Sequence, residues 1–166
     1  SMEPNIESGE HIIVNKAAYI TLDIETFSKV IPFYDPGEGS QLHLFGKPQR
    51  GDVVVVKSPQ PPPENLVKRI VAIPQDSVEI RAGSLYVNGY KITESYTKGI
   101  SPNLSRLTIP QDHYYLLGDN RDRSNDSKNF GPVHKSQIIG KAWLAYWPLN
   151  HFGTVQTFAI EPGPER

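Results

Sequence analysis

Lys68 sits in Leu66-Val67-Lys68-Arg69-Ile70-Val71, where a strand period of two puts Leu66, Lys68 and Ile70 on one face and Val67, Arg69 and Val71 on the other. Each face then carries one cation between aliphatics. A lysine so placed either snorkels to water at a sheet edge or is held in an apolar setting that disfavours its charged form. In the second case it can act as a general base. Its reference pKa of about 10.4 must then fall by roughly two to three units, at about 1.4 kcal/mol per unit, which burial can supply. Hydroxyl nucleophiles need such a base, and a Ser-Lys pair is one solution. Ser1 is the matching nucleophile candidate, because Met2 and Pro4 would hold a short extended segment and proline disfavours a helix at Glu3. The bland alternative for a terminal Ser-Met is a disordered end or a cloning remnant.

A second concentration of chemistry is the polar run over residues 118–133, which follows the apolar Tyr114-Tyr115-Leu116-Leu117. A strand that opens into alternating acids, bases and hydroxyls delivers many hydrogen-bonding groups to one place, on a loop anchored by a buried element. A plain solvated loop is the competing reading. Elsewhere the sequence narrows the choices. The 5 histidines show no HxxxH or HExxH spacing, which favours solvated or core roles over metal ligation. Nothing in the spacing nominates a Ser-His-Asp triad, and no cofactor motif stands out. With no cysteine there is no disulfide, thiol nucleophile or cysteine metal site. The formal net charge of -1, with Lys and Arg scattered, removes the case for a nucleic-acid binder built on bulk electrostatics.

The elements that must position these groups are mainly strands. A chain of 166 residues fits one domain with a real core, and 15 prolines with 13 glycines interrupt most candidate helices. Strands are expected at 11–14, at Val53-Val54-Val55-Val56 (a β-branched run suited to burial on both faces), and at 66–73. Residues 77–81 and 84–87 alternate across Ala82-Gly83 as a hairpin, and Asn88-Gly89 turns into 90–92. Further strands are expected at 114–117 and 138–147, with Gly140 as a bulge or close approach. Residues 19–48 read as an insertion, with 21–29 a short helix or irregular excursion. Residues 58–65 read as an extended proline connector. The polar, proline-bounded 93–111 reads as a surface excursion, so that 77–112 forms a small β subdomain inserted in the core. The tail 161–166 should fray. No run approaches the roughly 20 apolar residues of a membrane span.

Three separated segments stand in a telling order: Ser1-Met2-Glu3-Pro4, then Val67-Lys68-Arg69-Ile70-Val71 through Pro74-Gln75-Asp76, then residues 118–127, trailed by Phe130-Gly131-Pro132-Val133. Together they resemble type I signal peptidases from Ser1 to about Phe152. The resemblance implies a signal-peptidase-like antiparallel β catalytic core with a small β/loop subdomain. It also implies a membrane-anchored serine endopeptidase, extracytoplasmic in its catalytic domain, that removes signal peptides from exported preproteins after small residues. On this reading the chain is the catalytic part of a longer protein whose membrane anchor lies outside it. Ser1 then matches the nucleophile, Lys68 the general base and Ser124 the hydroxyl that orients the base. Asp119 and Asp126 match supporting acids, and Gly118 and Arg121 the frame of the loop.

The resemblance carries further expectations. Asp119 and Asp126 should face away from the lysine nitrogen, since a hydroxyl orients a neutral amine without stabilising its charged form as a carboxylate would. The oxyanion hole would use the nucleophile's own N–H, so that a chain starting at Ser1, with a charged amine there, should be a poor enzyme. The sequence also departs from the family pattern. Asn5 stands where Thr is usual, Gln75 replaces a Gly before Asp76, and Lys128 replaces an Arg that would pair bidentately with Asp126. The expected partners are signal peptides and a membrane lipid surface, which Trp143, Trp147 and Phe152 either contact or leave for ordinary core packing. Two rival readings share the chemistry or the fold. A repressor-type self-cleaving protease would need an internal Ala-Gly before the nucleophile and a DNA-binding segment, and a catalytically silent scaffold would leave Lys68 merely structural.

Overall fold

The computed structural model describes residues 1–7, 9–19, 21–23, 41–43, 46–147, 153–158 and 160. Its strands, in chain order, are β1 (His11–Asn15), β2 (Thr21–Asp23), β3 (Gln41–His43), β4 (Val53–Lys57), β5 (Asn65–Ala72), β6 (Ser77–Arg81), β7 (Ser84–Val87), β8 (Tyr90–Lys91), β9 (Leu104–Thr108), β10 (His113–Leu117), β11 (Val133–His134), β12 (Ile138–Trp147) and β13 (Gly153–Thr154). One short helix, α1 (Ser127–Phe130), follows β10.

Seven strands form the main sheet in the order β1-β12-β4-β5-β10-β11, with β13 paired to β12. Every pairing in it is antiparallel. The β-branched run of β4 fills its centre, with Val53, Val54, Val55 and Val56 all buried, as a strand covered on both faces requires. Beside it, β5 pairs Val54 with Lys68 and Val53 with Arg69. Gly140 in β12 serves both expected purposes. The β12–β4 register shifts between Ile138 and Gly140, and a Cβ there would sit 2.6 Å from the Asn15 carbonyl oxygen.

A second, four-stranded sheet runs β8-β7-β6-β9. Its two hairpins are set by local chemistry. Arg81 pairs with Ser84 across Ala82 (φ 46°) and Gly83 (φ 77°), and Val87 pairs with Tyr90 across Asn88 (φ 53°) and Gly89 (φ 85°). Positive φ at both central residues is the type I′ geometry that matches strand twist. Leu104–Thr108 adds a strand that the polar composition of 93–111 concealed; it pairs with β6 with a register shift and leaves only Leu104 and Leu107 half-buried. This sheet shares a core with the main one, in which Val71, Ala72, Tyr115 and Leu117 meet Val78, Ile80, Leu85, Val87 and Ile109. Ile70 and Leu116 instead pack with Val54, Val56 and Val133 in a separate cluster.

Within the expected insertion, residues 21–23 are extended rather than helical and pair with 41–43, because a β-branched Thr21 beside Leu22 suits a ladder. Most of that segment, Phe152 and the tail 161–166 lie outside the described residues. Gln75 adopts φ 73°, so the turn that would prefer glycine keeps its left-handed geometry with a Cβ in place. No helix among the described residues is long and apolar enough to cross a membrane.

Candidate active site

The chain from Ser1 to Ile6 folds into one tight turn, with the Met2 carbonyl accepting from the N–H groups of Asn5 and Ile6 at 3.0 Å each. Met2 is the anchor. Its side chain is buried with Ile6, Val53 and Ala142, against Val67, which leaves Ser1 exposed at the rim. The Ser1 carbonyl accepts from the Asn120 N–H at 3.0 Å. Glycine at 118 makes this approach possible, since a Cβ there would stand 2.6 Å from that carbonyl oxygen and 2.1 Å from Ser124 Oγ.

β5 brings Lys68 to the same place. Its side chain is 1% exposed, and its Nζ lies 2.8 Å from Ser1 Oγ and 3.1 Å from the Val67 carbonyl oxygen. Burial pushes the Lys68 ammonium below the ordinary lysine value of 10.5, and the Lys128 charge acts in the same direction, while Asp126, Glu64 and Asp119 pull the other way. The nearby acids are occupied elsewhere. Asp119 takes a bidentate pair from Arg69, with Nε to Oδ1 at 2.9 Å and Nη2 to Oδ2 at 2.8 Å. Asp126 accepts from the Gly118 N–H at 3.0 Å and the Lys128 N–H at 3.1 Å, which also caps α1. Lys128 Nζ stands 3.5 Å from Asp126 Oδ2, a single contact where a guanidinium would make two. No hydrogen bond joins Lys68 to a carboxylate among the described residues.

Arg69, one residue on, points to the opposite side of the sheet and makes four hydrogen bonds there. Besides Asp119 it donates to the carbonyls of Gly51 at 2.8 Å and Gln156 at 3.1 Å, and its guanidinium lies 4.5 Å over the Tyr96 ring. Arg121, 4% exposed, donates to the Gly118 carbonyl at 3.0 Å and Ser101 Oγ at 3.3 Å, and pairs with Glu94. Gly118, Asp119, Arg121 and Asp126 thus converge on the loop that seats Ser1 and Lys68.

Ser124 departs from expectation. Its Oγ is buried but has no hydrogen-bond partner among the described residues. Lys68 spends its contacts on Ser1 and the Val67 carbonyl instead, and the space over Gly118 holds Ser124 against the turn of Ser1. Sequence reading also passed over Asn5 and Glu94 as functional. Asn5 Nδ2 donates to Asp119 Oδ2 at 2.7 Å and to the Tyr96 carbonyl at 2.8 Å. The signal that could have found Asn5 was a polar residue directly before the buried Ile6, in a turn anchored by Met2.

A hydroxyl in contact with a desolvated amine has a partner able to take its proton without a histidine. The family profile described as signal peptidase, peptidase S26 matches residues 1–147, and the chain belongs to that family. It is 35% identical to signal peptidase I of Pseudomonas aeruginosa, over 96% of this chain and 66% of that protein, so it spans just under two thirds of that relative's length. Similarity to signal peptidase I of Bacillus caldolyticus is 33% identity over 92% of this chain and 78% of the relative. A crystal structure of a signal peptidase I from Enterococcus faecalis superposes with a TM-score of 0.53 and 31% identity, covering 58% of this chain and 97% of that one.

Proposed function

We propose that this chain is the catalytic domain of a membrane-anchored signal peptidase I that cleaves N-terminal signal peptides from exported preproteins, with Ser1 as nucleophile and Lys68 as general base. The observation that carries the reading is the 2.8 Å contact between Ser1 Oγ and Lys68 Nζ, made by a lysine that burial drives toward its neutral form. Neutral Nζ has a lone pair to accept the Oγ proton as Oγ attacks the scissile carbonyl carbon. The protonated Nζ then gives that proton to the leaving amine as the C–N bond breaks, leaving an acyl ester on Ser1. A water deprotonated by Lys68 attacks the ester, and Oγ recovers its proton as the signal peptide departs.

The surroundings favour this cycle. Arg69 and Lys128 hold the Asp119 and Asp126 charges, so neither acid forms an ion pair that would keep the base protonated. Gly118 keeps the turn of Ser1 close, and Ser124 supplies a hydroxyl beside it. An extended substrate would lie along a strand edge, with alternate side chains such as alanine in shallow pockets. Trp143, 59% exposed, with Tyr146 and Ile13 also exposed, would face a lipid surface. The test is cleavage of a preprotein by the full-length enzyme. Ser1→Ala and Lys68→Ala should each abolish cleavage while leaving the fold intact, and retention of activity by either would sink the dyad and leave a scaffold role.

A further inference from the structure

The turn that carries Ser1 is tied down at both ends by two consecutive residues of the polar loop. At its start, the Asn120 N–H binds the Ser1 carbonyl at 3.0 Å and Asn120 Nδ2 donates to the Glu3 carboxylate at 3.2 Å. At its end, Asn5 Nδ2 spends both hydrogens inward, on Asp119 Oδ2 at 2.7 Å and on the Tyr96 carbonyl at 2.8 Å. Asp119 is fully buried and already holds Arg69. Its Oδ2 therefore receives one hydrogen bond from the guanidinium and one from the carboxamide. On its outer side Asn5 lines a cleft of about 320 Å³ with Pro4, Glu7, Glu10 and the β12–β13 residues Ala145, Gly153, Thr154 and Val155.

We propose that Asn5 is a positioning residue for the nucleophile: its carboxamide locks the turn bearing Ser1 onto the buried Arg69–Asp119 pair and helps confine the Asp119 charge next to Lys68. The inference rests on the Ser1–Lys68 reading of the site. A carboxamide can do this where a hydroxyl cannot, because one NH2 group offers two donors in fixed directions and a threonine hydroxyl offers one. The two acceptors lie on different elements, Asp119 after β10 and Tyr96 between β8 and β9. The same side chain therefore staples the nucleophile's turn to both. Misplacing a nucleophile by about 1 Å is enough to cost about 10²-fold in rate.

The test compares Asn5→Leu, Asn5→Thr and Asn5→Asp with wild type on a signal-peptide-derived peptide, measuring kcat and KM across pH together with thermal melting. Asn5→Leu should lose kcat by at least about tenfold with KM little changed, and Asn5→Thr should recover part of the loss through its single donor. Asn5→Asp presses a carboxylate against Asp119, with Arg69 behind that acid and Glu3, Glu7 and Glu10 on neighbouring positions of the turn and cleft. Its activity relative to wild type should rise as pH falls, because the introduced carboxyl takes up a proton and becomes a donor again. Wild-type kcat in both Asn5→Leu and Asn5→Asp, or losses that merely track the unfolded fraction at the assay temperature, would overturn the proposal. If Asn5→Leu does not fold, the Asn5→Asp ratio decides: a flat ratio across pH overturns the positioning role. Lys68→Ala run alongside separates the two readings, since activity in that variant defeats the dyad whatever Asn5 does.

Discussion

Replacing Lys68 by methionine removes the amine while nearly preserving the shape of the side chain, and the structure sets two opposite consequences for it. In the native fold the amine is 1% exposed, with a hydroxyl and a carbonyl for partners. Burial lowers its affinity for a proton below the ordinary value of 10.5. The unfolded chain therefore binds more protons than the folded chain between the lowered value and 10.5, and stability rises with pH across that window. Each unit of lowering corresponds to about 1.4 kcal/mol of stability withheld at pH values below the window. Lys68→Met should recover that cost and be the more stable protein at pH values below the window, by about 1.4 kcal/mol for each unit of lowering. The gain should shrink toward pH 10.5. At the same time kcat should fall by about 10²- to 10⁴-fold, the usual contribution of a general base. Urea unfolding at several pH values reads the first effect, and peptide cleavage the second. A variant that is less stable at neutral pH, or stabilised by a pH-independent amount, would refute the claim that Lys68 is a desolvated base.

Three further outcomes follow from single contacts. In the wild type, the rising limb of kcat/KM against pH should lie below 10.5, with activity increasing as Lys68 loses its proton; a limb at or above the ordinary lysine value would contradict the burial argument. Gly118→Ala should cost kcat about tenfold or more and about 1–3 kcal/mol of stability, because its Cβ would stand 2.6 Å from the Ser1 carbonyl oxygen and 2.1 Å from Ser124 Oγ; kinetics paired with thermal melting check both. Gln75→Gly should raise stability by up to about 1 kcal/mol, since φ is 73° there, and a loss on denaturant unfolding would show that the glutamine side chain outweighs the strain.

Local signals made parts of this fold legible. Val53 to Val56 announce a doubly buried strand by composition, and Ala82-Gly83 and Asn88-Gly89 announce their turns because the required backbone conformation depends on two adjacent residues. Leu104–Thr108 was hidden because its half-exposed residues carry little hydrophobic contrast and proline bounds the segment on both sides. Lys68 stood out as a cation among aliphatics, while Ser1, 67 positions away, was nominated by the hydroxyl chemistry such a base serves and by resemblance to a family, since no local pattern joins the two. Asn5 and Glu94 stayed silent for a related reason. The Asp119 partner of Asn5 is 114 positions distant and the Arg121 partner of Glu94 is 27, and a polar residue gives no sign of its partner until the chain is folded.

Lys68 and Arg69 are neighbours with opposite electrostatic fates, and what sorts them is the pleat of β5. The pleat works as a parity rule: even positions face the serine and odd positions face Asp119. Deleting one residue within β5 upstream of Lys68, with β10 and β4 left in place, would move Arg69 opposite Val54, and inserting one would move Lys68 opposite Val53. The deletion would deliver a guanidinium that cannot give up its proton to the hydroxyl, and the insertion would deliver an amine to the acid that would keep it charged. The composition of the strand would be almost unchanged, yet the base would be gone. An odd-numbered change in the length of this strand upstream of Lys68 therefore removes the base without altering a single catalytic side chain.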